Sequence, residues 1–125
     1  GLVYAAVMDD FRFSVSQALR AHALGFPEVS EGTSCVNRAF KVRKKNFVFI
    51  GEKEASVRVM VRLSESAAAA AQMGDARIGI GRTGWATLNF PPDDPPDLAM
   101  MRTWIDESFR PLAPKTVLKA WLTEG

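Results

Sequence analysis

The chain has 125 residues, 47% of them apolar and 24% charged, with a formal net charge of +2. This composition is that of an ordinary soluble globular protein, so we expect one domain spanning residues 1–125 with one hydrophobic core. A charge of +2 does not by itself indicate a nucleic-acid partner, and only local clustering of basic residues can. The single cysteine, Cys35, excludes an intrachain disulfide and fits a reducing compartment.

The first ten residues, GLVYAAVMDD, combine a short apolar run with two acidic residues. No basic residue precedes the run, and the run is far too short to cross a membrane, so neither a signal peptide nor a membrane anchor is predicted here. We therefore expect a cytoplasmic protein with no membrane partner. Gly1 is either native or an addition to the natural chain, and the sequence leaves both open.

The first helix is predicted to start at Met8, with Asp9 or Asp10 as the N-cap at the positive end of the helix. Gly25 ends this helix, and Pro27 cannot continue it. One helical stripe carries the residues expected to face the core: Phe11, Val15, Ala18, Leu19 and His22.

Four titratable residues near this helix are candidates for chemistry. His22 is the single histidine and has no second His or Cys at metal-ligand spacing, so we predict a packed helix residue and not a ligand or base. Residues 27–34, PEVSEGTS, have turn composition, so Glu28 and Glu31 are predicted to be solvated loop carboxylates and not an acid–base pair. Cys35 lacks the motif of a catalytic thiol and is predicted to pack as a small residue.

Alternation of apolar and polar residues predicts three strands in the middle of the chain. Short turns join these strands, so neighbours must be antiparallel, because a parallel crossover needs a dozen residues or more. The predicted strands are about Ala39–Arg43, Phe47–Gly51 and Ser56–Leu63. In the third strand, one side carries Val57, Val59, Val61 and Leu63, and the other carries Arg58, Met60 and Arg62.

The second half of the chain predicts a helix, a hairpin and two further helices. Ser64 would cap the helix over Glu65–Met73. Asp97 would cap a long helix that ends or kinks at Pro111, and Pro114 would start a short terminal helix. The predicted hairpin strands are Ala76–Gly81 and Trp85–Phe90. The order α-β3-α-β2-α predicts an α+β fold, a two-layer sandwich with one antiparallel sheet whose second face is open.

This hairpin, whose predicted turn is residues 82–84, contains Gly79, Gly81 and Gly84 with the G-x-G-x-x-G spacing of dinucleotide-binding loops. That function needs a helix to begin within the motif, but WATLNF and PPDDPP follow, so a glycine-rich hairpin turn is predicted instead. No metal-ligand spacing and no Ser/His/Asp grouping is present in the sequence. We therefore expect a non-enzymatic protein with no catalytic residue, no cofactor and no metal.

Basic charge is concentrated between Arg38 and Leu63, where eight Lys or Arg stand against Glu52 and Glu54. This segment has a net charge of +6, so the remainder of the chain sums to −4. Alternation places five cations on the open side of the sheet together with Trp85: Lys41, Arg43, Arg58, Arg62 and Arg77. There they would meet phosphates while Trp85 stacks on a base or fills a partner's pocket. The predicted nucleic-acid-binding residues are Lys41, Arg43, Arg58, Arg62, Arg77, Arg82 and Trp85.

Other uses of the same face stay open. An ordinary solvated sheet face also carries Lys and Arg, which keep the protein soluble. A protein or small-ligand adaptor would use the face around Met60 and Trp85, and self-association into a homodimer would bury it.

Seven short blocks resemble the MmcQ/YjbR-like family, over a region from about residue 10 to the C-terminus. The blocks are FPE (26–28), EGTS (31–34), AFKV (39–42), KNF (45–47), GW (84–85), WIDESF (104–109) and APK (113–115). The resemblance implies a frataxin-like or secretion-chaperone-like fold, α-β3-α-β2-α, and a DNA-binding role in which two hairpins form a double wing. It implies no catalytic residue. The chain departs from the family pattern at CVN (35–37), where relatives show an aromatic residue and a glycine, and its second hairpin is short for a wing.

Overall fold

The computed structural model describes the backbone of residues 2–124 and the side chains of residues 2–3 and 10–123. These residues form four helices and six strands. The helices are α1 (Leu2–Leu24), α2 (Ala67–Gln72), α3 (Leu98–Phe109) and α4 (Lys115–Glu124). The strands are β1 (Val29–Ser34), β2 (Asn37–Val42), β3 (Lys45–Lys53), β4 (Ser56–Arg62), β5 (Ile78–Ile80) and β6 (Trp85–Phe90).

All six strands form one antiparallel sheet in the order β1-β2-β3-β4-β6-β5. One face of the sheet packs against the helices, and β4 contributes Val57, Val59 and Val61, which are at most 1% exposed. The predicted α+β two-layer sandwich with one antiparallel sheet is therefore confirmed. Buried residues from all four helices join the same core cluster, for example Leu19, Ala70, Ile105 and Val117.

Strand β1 is the first correction to the predicted fold, because residues 27–34 were expected to be a loop. Val29 pairs with Val42 at one end of β1, and Ser34 pairs with Asn37 at the other. Val29 is the one large apolar residue of VSEGTS, so the strand carries no hydrophobic alternation for sequence reasoning to detect. Its position comes instead from backbone pairing with β2 and from the tight turn that follows at Cys35, where φ is +54°.

The start of α1 is the second correction. The helix begins at Leu2 and runs through Asp9 and Asp10, so neither residue is its N-cap. Gly1 and the side chain of Asp9 lie outside the described residues. The helix ends as predicted, with the Gly25 amide donating to the carbonyl of His22 over 3.1 Å. No helix in the described part of the chain is long and apolar enough to span a membrane.

Helix α2 begins two residues later than predicted and is not capped by Ser64. Its N-cap is Ser66, whose side chain does not cap the helix. The buried Glu107 of α3 does so instead, accepting from the amides of Glu65 over 3.2 Å and Ser66 over 3.0 Å. Its other carboxylate oxygen accepts from Ser66 Oγ over 2.6 Å. One carboxylate therefore joins α3 to the start of α2.

A β-bulge in β3 brings both Phe47 and Val48 into the core. Phe40 pairs with Val48 and Lys41 with Asn46, so Phe47 is the extra residue in β3. At the bulge, Ser108 of α3 donates from Oγ to the Phe47 carbonyl. The Arg62 amide donates to the same Oγ over 2.9 Å. Ser108 therefore satisfies two backbone groups at the end of the β3–β4 ladder.

Candidate functional site

The candidate site is the face of the sheet turned away from the helices, hereafter the open face. It consists of the strand residues that alternate with the buried ones, and their side chains in the middle of the sheet are partly or fully exposed. Strand register sets three rows across β3, β4 and β6: Gly51–Arg58–Asn89, Phe49–Met60–Thr87, and Arg62–Trp85.

Cations on the open face have no carboxylate partner among the described residues. The cations at open-face strand positions are Lys41, Lys53, Arg58 and Arg62. Arg62 donates from Nε to the carbonyl of Thr83 over 3.3 Å, which holds its side chain beside the second hairpin. Arg58 Nε is buried and has no hydrogen-bond partner in the described part of the chain.

The acidic residues of the described strands lie on the opposite face. Glu31 pairs in register with Phe40, and Glu52 pairs with Val57, and both of these partners point into the core. The described strands therefore place cations on the open face and no carboxylate to neutralise them. Such a segregation of charge gives the face a positive potential that attracts anions.

An apolar patch lies in the middle of the open face. The rings of Phe49 and Trp85 are 5.8 Å apart between centroids and tilted by 52°. Met60 pairs directly with Phe49 across the strands and lies on β4, between the strands that carry the two rings. Phe49 was not among the predicted site residues, because residues 47–50 read FVFI, a continuous apolar run that does not show which side chain points to the open face.

Trp85 is positioned by the glycine-rich hairpin. The Gly81 amide donates to the Trp85 carbonyl over 2.9 Å, and the Leu63 amide donates to the Gly84 carbonyl over 2.8 Å. Gly84 has φ of +86°, and a Cβ there would lie 2.9 Å from the carbonyl oxygen of Leu63, so only glycine fits. The G-x-G-x-x-G sequence is thus a hairpin turn, as predicted, since strand β6 follows it where a dinucleotide loop needs a helix.

Arg43 does not lie on the open face, contrary to the prediction. It occupies the β2–β3 turn with φ of +57°. Its guanidinium forms a bidentate pair with Glu28, with distances of 3.2 and 3.4 Å. It lines a groove of about 460 Å³ beside Leu112 and Pro114 of the α3–α4 connection, on the helical side of the molecule. Strand periodicity does not extend into the turn, and this explains the error.

Arg77 does not lie on the open face either. Its guanidinium is 5.3 Å from the ring centroid of Phe90, whose side chain is in the core. It donates to both carboxylate oxygens of Asp75 and to Asp94 Oδ1 over 3.0 Å. The side-chain hydrogen bond from Arg77 lowers the pKa of Asp75 from 3.8 to about 2, and the same bond raises the pKa of Arg77. This arginine orders the loop before α3 and is already neutralised.

The other predicted residues are spread over a wider surface. Lys41 lies on β2, and β3 lies between β2 and β4. Lys41 is therefore two strand spacings, of about 5 Å each, away from the arginines of β4. Arg82 is exposed in the turn of the second hairpin, beyond the strand rows. The structure therefore places Arg58, Arg62 and Trp85 on the open face, with Arg62 next to Trp85 and Arg58 two rows away. It leaves Lys41 and Arg82 at the margin and places Arg43 and Arg77 off this face.

The titratable residues near α1 form paired contacts on the helical side. His22 Nε2 lies 2.7 Å from Asp106 Oδ1, and its side chain is 26% exposed, so the predicted packed helix residue is confirmed. Glu31 is not the solvated loop carboxylate predicted: its side chain is 11% exposed and accepts from Arg20 over 2.8 Å and from Arg38 over 2.6 Å. Burial raises the pKa of Glu31, but the two arginines lower it further than burial raises it. Cys35 is exposed and not packed.

Comparison with known proteins identifies the family. A family model described as YjbR matches residues 24–111, which is most of the chain. The chain belongs to the YjbR family. The matched part of this YjbR chain includes all six strands, α2 and α3, and hence the whole open face. No curated protein is similar enough to the chain to count as a match.

Proposed function

We propose that this YjbR-family protein is a non-enzymatic binding module that holds nucleic acid on its open face. The observation that carries the proposal is the position of Arg58 and Arg62 on the same side of β4, with Arg62 beside Trp85, Lys41 at the margin and no carboxylate at the strand positions of this face. Arg58 and Arg62 are not in ion pairs with described residues, so a phosphate need not displace a carboxylate to reach them. Arg82 at the hairpin tip extends the basic surface.

Binding of this kind is mainly electrostatic and has little sequence specificity. Each phosphate neutralised by an arginine releases condensed counterions, so affinity falls steeply as salt increases. Arg58 and Arg62 lie four residues apart on β4, which puts their Cα atoms about 13 Å apart along the strand. They therefore contact different phosphates, and their contributions to the salt dependence add.

The test is the salt dependence of binding to labelled oligonucleotides, followed by fluorescence anisotropy between about 50 and 200 mM salt. The double variant Arg58→Ala/Arg62→Ala should bind more weakly at low salt and reduce the slope of log K against log salt by about 2. The matched control is Arg102→Ala/Lys119→Ala, which removes the same charge from exposed positions on α3 and α4. Two results would contradict the proposal: no binding to either duplex or single strands at low salt, or a binding affinity that does not change with salt.

A second candidate function is a protein or small-ligand adaptor, and the apolar patch of Phe49, Met60 and Trp85 favours it. Aromatic residues and methionine with arginine at the margin are typical of interface centres. Self-association through this patch is the simplest form of the adaptor. Size-exclusion chromatography at two protein concentrations tests for it, since a dimer that forms through the open face should dissociate on dilution and in the Trp85→Ala variant.

A further inference from the structure

We infer that the open face is a platform for single-stranded nucleic acid and not for a duplex. The inference rests on the proposed function and deepens it, because it names the form of nucleic acid that the face recognises. The observation behind it is the position of the aromatic pair. Phe49 on β3 and Trp85 on β6 flank strand β4 and are partly exposed, with a ring-centroid distance of 5.8 Å.

The shape of the cationic surface argues against groove binding. Six strands spaced by about 5 Å give a face roughly 25 Å wide. The major groove of a duplex is about 12 Å wide and admits a helix or a two-stranded ribbon. A face of this width therefore touches only the backbone of a duplex, and the bases of the duplex remain stacked on one another inside the helix.

The chemistry in the middle of the face suits bases that are free to leave their stack. Aromatic side chains on an exposed sheet surface stack with unpaired bases of any sequence, and this contact is largely independent of base identity. Against a duplex the Phe49 and Trp85 rings would face sugars and phosphates, and their contact with charged phosphates would bring no stacking. The apolar patch therefore contributes to affinity only when the bases are unpaired.

The cations lie where the backbone of such a strand would run. Arg58, Met60 and Arg62 are alternate residues of β4, so the strand positions of the two arginines lie on either side of the Phe49–Met60–Thr87 row. Arg62 is the register partner of Trp85 and is held toward the hairpin by the Thr83 carbonyl. Base stacking on Phe49 and Trp85 and phosphate contacts at Arg58 and Arg62 would supply the two elements of single-strand binding grooves.

The experiment compares three fluorescein-labelled oligonucleotides of about 20 nucleotides. They are oligo-dT, oligo-rU and a mixed-sequence DNA duplex, each titrated at the same low salt by fluorescence anisotropy. We expect the single strands to bind more tightly than the duplex, and oligo-rU against oligo-dT shows whether RNA or DNA is preferred. Unlabelled oligo-dT should also quench tryptophan fluorescence, and the quenching should be lost in Trp85→Leu because Trp104 is in the core and Trp121 packs on Phe109.

Substitutions that replace an aromatic ring with another apolar side chain separate the effect of stacking from that of charge. Trp85→Leu and Phe49→Leu should each weaken oligo-dT binding by about five-fold or more and leave duplex binding unchanged, and Trp85→Tyr should restore most of the affinity. Met60→Leu is the matched control, since it changes the same patch without removing a ring. Circular dichroism and thermal melting of every variant establish that the fold is retained.

Each outcome decides a different claim. Duplex binding as tight as single-strand binding, with no effect of Trp85→Leu, overturns the single-strand inference and leaves the proposed nucleic-acid function in place. No binding to any oligonucleotide overturns both. A protein that dimerises through Trp85 and binds no oligonucleotide also overturns both and favours the adaptor function.

Discussion

Polar side chains form different contacts on the two faces of the sheet. On the helical side, Glu107 caps α2, Ser108 bridges β3 and β4, and Glu31 accepts from two arginines. On the open face, Arg58 and Arg62 lie among apolar side chains with no carboxylate partner in the described residues. Polar groups on the helical side hold the elements together, whereas the two open-face arginines form no ion pair with a described residue.

Most of the sequence blocks that resemble the YjbR family have structural contacts of the kind found on the helical side. The block WIDESF lies on α3, and its residues have structural contacts: Asp106 with His22, Glu107 with Ser66, and Ser108 with the β3 backbone. The GW block places Gly84 against Leu63 where no side chain fits. Most residues of these family-like blocks therefore contribute to the architecture, and two of them, Lys41 of AFKV and Trp85 of GW, lie on the open face. The open-face arginines lie outside those blocks, so function has to be argued from the surface itself.

The largest expected effect comes from breaking a contact on the helical side. Glu107→Ala should lower the free energy of unfolding by about 3 kcal/mol, because it leaves the amides of Glu65 and Ser66 and the Ser66 hydroxyl without their shared acceptor. Urea denaturation at neutral pH measures the change. Glu65→Ala, at an exposed position nearby, is the control and should shift stability by less than about 0.5 kcal/mol. Equal effects of the two substitutions would show that the cap contributes nothing.

A smaller effect, confined to acid, is expected at the sheet margin. The pKa of Asp75 is lowered from 3.8 to about 2, so the stability it contributes is present above about pH 4 and is lost as pH falls toward 2. Asp75→Asn removes the titrating group, so its unfolding free energy should fall less steeply than that of the wild type in this window. Thermal unfolding of both proteins across the window measures the two slopes.

The control for the acid experiment is Asp93→Asn, at an exposed aspartate of the adjacent loop that forms no ion pair with an arginine in the described part of the chain. Its pH dependence should match that of the wild type. If the unfolding free energy of Asp75→Asn has the same pH dependence as that of the wild type, the pairing of Asp75 with Arg77 does not contribute to stability.

The smallest effect on stability is expected on the open face. Arg58→Ala/Arg62→Ala should change the free energy of unfolding by no more than about 0.5 kcal/mol per site, because neither guanidinium is in an ion pair with a described residue. Thermal melting in the absence of nucleic acid measures this. A loss as large as that for Glu107→Ala would mean that these arginines support the fold and would remove the contrast between the two faces.

Sequence periodicity predicted the sheet well wherever side chains lay inside strands. Alternation assigned Val57, Val59 and Val61 to the core and Arg58 and Arg62 to the other side, because successive side chains of a strand point to opposite faces. It failed for Arg43 and Arg77 because both lie just outside strands. The Arg43 side chain is oriented by its ion pair with Glu28 and the Arg77 side chain by its ion pair with Asp75, and not by the alternation of side chains along a strand.

The parts of the fold that sequence reasoning missed are held by tertiary contacts. Strand β1 has little apolar content and is placed by its partner β2 and by the ion pairs of Glu31, which lie beyond the reach of a local pattern. Phe49 was missed because the bulge at Phe47 puts two consecutive residues on one side, so FVFI reads as a continuous apolar run. The aromatic patch of the candidate site therefore became visible only with the register of the strands.

The edges of the sheet have a consequence for aggregation. Strand β5 is three residues long, and β1 carries Glu31 bound to Arg20 and Arg38. Short edge strands and charged edge residues disfavour the addition of a strand from another chain, which is the first step toward fibrils. Growth by strand addition is thus discouraged at both ends of the sheet. The sheet can therefore carry the partly exposed apolar patch of Phe49, Met60 and Trp85 on its open face without exposing an edge that templates polymerisation.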